Sequence, residues 1–153
     1  MTRALILALT LAATGIGTSA PAQDLPAPVA ARQGQMRLMA LHLGTLGGMV
    51  RGNAEYDSEA ASAAARNLVT LSTLDQRFLW PEGTSADEVE GSEALPAVWE
   101  DHDDFLAKWA AFGEGATAVD AVAGDGLDAL RDGMASLGRS CGGCHDDYRM
   151  SDD

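Results

Sequence analysis

The tightest constraint in this sequence is a stripe near its carboxyl end. Leu127, Leu130, Met134, Leu137, Cys141, Cys144 and Tyr148 recur at spacings that alternate strictly between three and four. Only an α-helix, with its 3.6 residues per turn, brings such positions onto one face. Two cysteines therefore stand on the core-facing seam of a long final helix, and a seam of that kind requires other helices to cover it.

Three further segments supply the cover. Helix A is predicted over residues 28–51, with Pro28 in the first turn, where its missing N–H does no harm. Its stripe is Val29, Arg32, Met36, Met39, Leu43, Leu46 and Val50. Gly44, Gly47 and Gly48 weaken this helix by about 1 kcal/mol each relative to alanine. That cost points to close approach of a neighbouring helix or subunit, or to a frayed end. Gly52-Asn53 closes helix A, and Asp57 or Ser58 caps helix B, predicted to reach residue 79 with Leu68, Leu71, Leu74 and Phe78 inward. Residues 80–95 (WPEGTSADEVEGSEAL) hold glycine, proline and acids without periodicity, and predict a long exposed connection.

Helix C is predicted over 96–123, with Val98, His102, Phe105, Trp109, Phe112, Ala116 and Val119 as its stripe. Gly124-Asp125-Gly126 breaks it, and helix D follows over 127–149. Nowhere do β-branched and aromatic residues alternate with polar ones over a useful length. The fold expected is all-α, an antiparallel four-helix bundle, an architecture that builds cofactor sites between facing helices.

Residues 1–22 stand apart from this pattern. Arg3 gives a positive start, LILALTLAA is a short apolar run, and Ala20-Pro21-Ala22 matches a small-x-small cleavage site. They read as a bacterial secretory signal, leaving residues 23–153 as one domain in the periplasm. No stretch approaches the ~20 apolar residues needed to cross a bilayer. The formal net charge of −13 becomes −14 once the leader and its single Arg3 are removed. A balance this acidic argues against nucleic acid or an anionic membrane as partner, and favours a basic protein or an uncharged small molecule.

Cys141-Gly142-Gly143-Cys144-His145 gives the final helix its chemistry. Thiols three apart share a helical face and can reach the two vinyl groups on one edge of a porphyrin. His145, four residues after Cys141, can then turn its imidazole to the iron. Gly142 and Gly143 would let the macrocycle lie close to the backbone. One covalently bound haem c is thus expected, attached after export. Three plainer readings compete. A redox dithiol usually follows a strand at a helix start. A zinc site lacks a suitably spaced fourth ligand, with only His42 and His102 left. A structural disulfide closes too small a loop to stabilise much and leaves His145 unexplained.

The run Cys-x-x-Cys-His-x-x-Tyr-Arg, from Cys141 to Arg149, on the fourth helix of a bundle resembles the cytochrome c′ family, the class II c-type cytochromes. Ala31-Arg32-Gln33-Gly34-Gln35-Met36, Gly52-Asn53-Ala54-Glu55-Tyr56-Asp57 and Leu95-Pro96-Ala97-Val98-Trp99 resemble the family elsewhere. The resemblance implies a haem pocket with Arg32, Met36 and Arg149 around it, and a distal face open to nitric oxide or carbon monoxide. Low-spin relatives place a methionine on the iron at the position of Met36. That residue is therefore either distal wall or second axial ligand, which would make the chain an electron carrier exchanging with a redox partner protein. Arg32 would pair with a haem propionate or reach water, and Arg149 would lie beside the ligand histidine or in solvent. The family also implies a homodimer through helix A, with helix B as a further candidate, and the three glycines permit close packing there.

Other residues carry plainer expectations. Trp99, Trp109, Phe105 and Phe112 read as packing rather than an electron path, and Met39, Met49, Met134 and Met150 as packing or surface. His42 and His102 read as surface or locally hydrogen-bonded residues, and the acidic runs at 100–104 and 146–147 as solvated faces. No carboxylate pair, nucleophile constellation or phosphate loop suggests an enzyme.

Overall fold

The computed structural model describes residues 25–151, so the secretory signal expected over residues 1–22 lies outside the described residues. Among the described residues there are five α-helices and one 3-10 turn. They are α1 (Ala27–Val50), α2 (Ser58–Ser72), the turn Gln76–Phe78, α3 (Ala97–Glu100), α4 (His102–Asp120) and α5 (Leu127–Tyr148). Packing runs in a ring: α1 on α2, α2 on α4, α4 on α5, and α5 back on α1, the last contact being the thinnest. This is the expected four-helix bundle, with its third member split.

The short connections are built from local chemistry. Gly52 leaves α1 with φ +74°, a left-handed backbone that favours glycine. Asp57 caps α2 by accepting from the N–H groups of Glu59 and Ala60. The Tyr56 hydroxyl donates to the Ala123 carbonyl at 2.9 Å and accepts from the Gly126 N–H at 3.0 Å, tying the α1–α2 connection to the α4–α5 connection.

Helix B ends earlier than its sequence suggested. The Ser72 and Thr73 hydroxyls donate back to the carbonyls of Val69 and Thr70, and the Asp75 carboxylate caps a new turn at Arg77. Such local bonds compete with helix continuation. Trp109 of α4 donates its Nε1–H to the Ser72 carbonyl at 3.0 Å, satisfying an acceptor left over at the helix end. Leu74 and Phe78, expected inward, are exposed, Phe78 to 73%, while Ala61, Ala64, Ala65 and Leu68 form the buried face of α2. Helix C is likewise interrupted, at Asp101 (φ −126°, ψ 56°), between α3 and α4.

The connection after α2 is not the exposed loop that its composition suggested. Thr84, Ser85, Ser92 and Ala94 are buried, and the Ala86 N–H donates to the Ala94 carbonyl at 2.7 Å. Its end meets the end of α5: the Leu95 N–H donates to the Tyr148 carbonyl and the Met150 N–H to the Glu93 carbonyl.

Close helix approach occurs at glycines other than those expected. A Cβ at Gly44 would meet nothing within 4 Å, and one at Gly47 would meet only the Arg51 side chain of its own helix end. On α4, a Cβ at Gly115 would lie 3.3 Å from Leu137 Cα of α5, and on α5 a Cβ at Gly133 would lie 3.5 Å from Val119 Cα. These two glycines set the α4–α5 distance. Gly115→Ala, which helix propensity alone would make stabilising by about 1 kcal/mol, is expected to destabilise by about 1–3 kcal/mol, because backbone cannot yield as a side chain can. Denaturant titration checks the sign.

Candidate functional site at the end of the last helix

A cavity of about 410 Å³ opens between α1, α4 and α5, and α1 on α5 is the thinnest packing of the ring. Its size suits a cofactor-scale ligand. From α5, Cys141, Cys144 and Tyr148 face it, as their shared stripe requires, and His145, one turn after Cys141, faces it beside them. Met36, Met39 and Leu43 of α1 form one apolar wall, and Phe105, Trp109 and Phe112 of α4 another. Gly142 and Gly143 are not among the lining residues, because 100° per residue turns them away from the face of Cys141 and Cys144. Their missing Cβ atoms therefore make no room there.

The two thiols are half-buried and not joined in a disulfide. Burial pushes both above the ordinary cysteine value; for Cys144 the Lys108 ammonium opposes this in part. A redox dithiol needs the opposite shift. No cluster of three or more metal-ligating side chains occurs among the described residues. His102 lies away from the cavity, with Nδ1 3.2 Å from the Val98 carbonyl and its ring stacked on Phe105.

Arg32 does not reach water, which removes one of its two sequence readings. It lines the cavity, yet only 3% of it is exposed, and its amino groups are already engaged. Nη1 donates to the Leu79 carbonyl (3.2 Å) and Thr84 Oγ1 (2.8 Å), and Nη2 donates to the Thr84 carbonyl and Ser92 Oγ (2.8 Å). Its guanidinium also lies 4.8 Å from the centre of the Trp80 ring. All these acceptors are neutral, and no carboxylate of the described residues comes within 4.0 Å. Burial accordingly lowers its pKa from the ordinary arginine value.

Met36 is partly buried against the core and shares the cavity with His145. Arg149 also lines it; its backbone N–H donates to the His145 carbonyl at 3.1 Å and it bridges to Ala94. Lys108, Arg37 and Glu93 line the cavity as well and were not singled out from the sequence. Lys108 could have been: it lies three residues after Phe105 and four before Phe112, on the inward face of α4. Asp104 and Asp147 are exposed, as read, and each also holds a partner. Asp104 accepts from the Tyr148 hydroxyl at 2.7 Å, and Asp147 pairs with Lys108 at 2.7 Å.

The sequence profile of the Cytochrome C′ family matches residues 27–149, the whole bundle from α1 to the residue after α5. The chain belongs to the cytochrome c′ family. Cytochrome c-554 of Cereibacter sphaeroides is 42% identical over 150 residues, covering 96% of this chain and 98% of that protein. Cytochrome c′ from Rhodobacter Spheriodes has the same fold at a TM-score of 0.79 and 43% identity, covering 81% of this chain and 95% of that one. A nitric oxide complex of a variant of cytochrome c prime from Alcaligenes xylosoxidans matches at a TM-score of 0.69 and 37% identity, covering 81% and 94%.

As a member of the cytochrome c′ family, the chain carries covalently bound haem c. The cavity suits that group on three counts. Two thiols and an imidazole stand on one helical face, and the walls opposite are apolar and aromatic. Four of the chain's ten basic residues, Arg32, Arg37, Lys108 and Arg149, line the cavity of an otherwise strongly acidic protein. Carboxylate-bearing haem is the kind of anion such a lining favours.

Proposed function

We propose that this chain is exported to the periplasm, where it binds nitric oxide or carbon monoxide at a haem linked to Cys141 and Cys144 and ligated by His145. The haem, when bound, would supply an iron able to take up a diatomic gas and to exchange an electron. One observation carries the reading: both thiols and His145 open onto a single cavity with apolar walls of Met36, Met39 and Leu43 from α1 and Phe105, Trp109 and Phe112 from α4. Those walls keep water away and admit small apolar molecules. The nitric oxide complex of the Alcaligenes xylosoxidans relative supports the choice of ligand.

In this reading Met36 is distal wall, a soft and adaptable filler beside the iron. Arg32, a buried cation with only neutral partners, and Arg149 line the cavity, where haem carboxylates would add negative charge. Two copies meet through α1, whose Leu38 and Leu41 are exposed to 49% and 61%; sedimentation of the haem-loaded protein should give twice the chain mass.

The absorption spectrum tests the central claim. Without added ligand, the reduced protein should be high-spin with a broad Soret band that sharpens under carbon monoxide. Met36→Ala should keep that spectrum and bind carbon monoxide faster through a roomier pocket. Sharp α and β bands in the unliganded reduced protein, lost on Met36→Ala, would instead establish Met36 as second axial ligand and make the chain an electron carrier.

A further inference from the structure

The haem-binding turn of α5 is fastened to α4 by a four-membered polar chain. Tyr148 Oη donates to Asp104 Oδ2 at 2.7 Å. Lys108, one turn further along α4, lies 3.7 Å from the same Asp104 oxygen and pairs with Asp147 Oδ2 at 2.7 Å. Asp147 and Tyr148 follow His145 by two and three residues. The phenol is buried, and its ring meets Phe105 edge-on at 5.4 Å, with the Asp101 carbonyl 3.4 Å from its hydroxyl where α3 and α4 part. Burial and the Asp104 carboxylate hold the Tyr148 pKa above the ordinary phenol value, so the hydroxyl keeps its proton and donates.

We infer that Asp104 is a positioning residue for the iron ligand: by holding Tyr148 and steering Lys108 onto Asp147, it fixes the rotation of the last turn of α5. The direction in which His145 presents its imidazole follows from that rotation. Stability alone gives little reason for this arrangement. The side chains of Lys108, Asp104 and Asp147 are 28%, 49% and 56% exposed, and ion pairs that wet stabilise weakly. What two attachments from one helix to adjacent residues of another supply is direction. Backbone bonds to residues 93–95 already hold one side of this turn, and two separated side-chain contacts to α4 resist its rolling on the other. A ligand held within a narrow angular range requires support of this kind from the groups behind it.

The inference rests on His145 being the axial ligand, as proposed above. Its test uses the haem-loaded protein, with haem content first confirmed by intact mass. The readouts are the iron–histidine stretching band of the ferrous form by resonance Raman and the line shape of the ferric electron paramagnetic resonance spectrum. Asp104→Ala and Tyr148→Phe should both retain haem yet broaden or split the band and the resonance lines as the imidazole samples more than one orientation. Asp104→Asn, which keeps an oxygen for Tyr148 but not the charge for Lys108, should fall between them and wild type. Asp128→Ala, which removes an exposed pair with Arg131 at the far end of α5, should change neither spectrum. Haem-loaded Asp104→Ala and Tyr148→Phe with wild-type spectra would overturn the inference, whatever their melting temperatures. Should Asp104→Ala not fold, Tyr148→Phe, which removes only a hydroxyl, decides alone. Wild-type protein without covalent haem would remove the haem assignment first, an outcome distinct from loaded variants with unchanged spectra.

Discussion

Replacing Cys141 and Cys144 together by alanine is expected to abolish covalent haem. Wild-type protein should keep its colour through acid–organic extraction, because two thioether bonds survive denaturation. The double variant should lose all of it, since only a coordinate bond from His145 and contact with the cavity walls remain. Intact mass should show the same difference as one haem per chain against none. The physical basis is local. The two thiols lie one turn apart on the same face of α5, half-buried, and open onto the cavity between α1, α4 and α5. Haem that stayed attached to the double variant after extraction would refute the assignment of these two residues.

Arg32→Met is expected to be the most damaging single change outside the haem attachment. Methionine matches the length of the stem but carries none of the four hydrogen bonds that Arg32 makes to Leu79, Thr84 and Ser92. Bonds from a charged donor contribute about 1.5–3 kcal/mol each. Against their loss stands relief of the burial cost of an unpaired guanidinium, about several kcal/mol. Two hydroxyls also keep a second partner, with Thr84 donating to the Pro81 carbonyl and Ser92 to the Thr84 carbonyl. The balance is a loss of about 3 kcal/mol, or roughly 10 °C in melting temperature for a domain of this size. The damage should be concentrated in the connection after α2, with amide exchange accelerating at Thr84, Ser85 and Ala94. Arg32→Lys should recover little, because a point charge cannot serve acceptors spread around a planar fork. An Arg32→Met protein that melts within about 2 °C of wild type would show that the connection holds itself.

The Arg32 prediction turns on a contact between residues some fifty positions apart, and this is where sequence reading stopped. A periodic stripe is a local property. The alternation of three and four through Leu127, Leu130, Met134, Leu137, Cys141 and Cys144 is visible in one dimension because the helix repeats every 3.6 residues whatever surrounds it. The same local code gave α1 and α5 nearly to the residue, as well as the Asp57 cap and the Gly52 exit. It failed for α2 beyond Ser72, where Leu74 and Phe78 continue an apolar pattern that the chain does not use. The bonds from Ser72, Thr73 and Asp75 that stop the helix are local too, but their strength against continuation is set by the tertiary partner Trp109.

The amino-acid sequence alone determined the helical bundle, the face on which two thiols and an imidazole stand, and the family to which they point. Only the tertiary structure decided that the connection after α2 wraps a buried arginine, that Gly115 and Gly133 rather than Gly44 and Gly47 bring helices together, and that Asp104 and Asp147 have partners. Periodicity needs only neighbours along the chain. A hydrogen bond or a backbone contact is won or lost over a few tenths of an ångström, between atoms whose positions depend on every element packed around them.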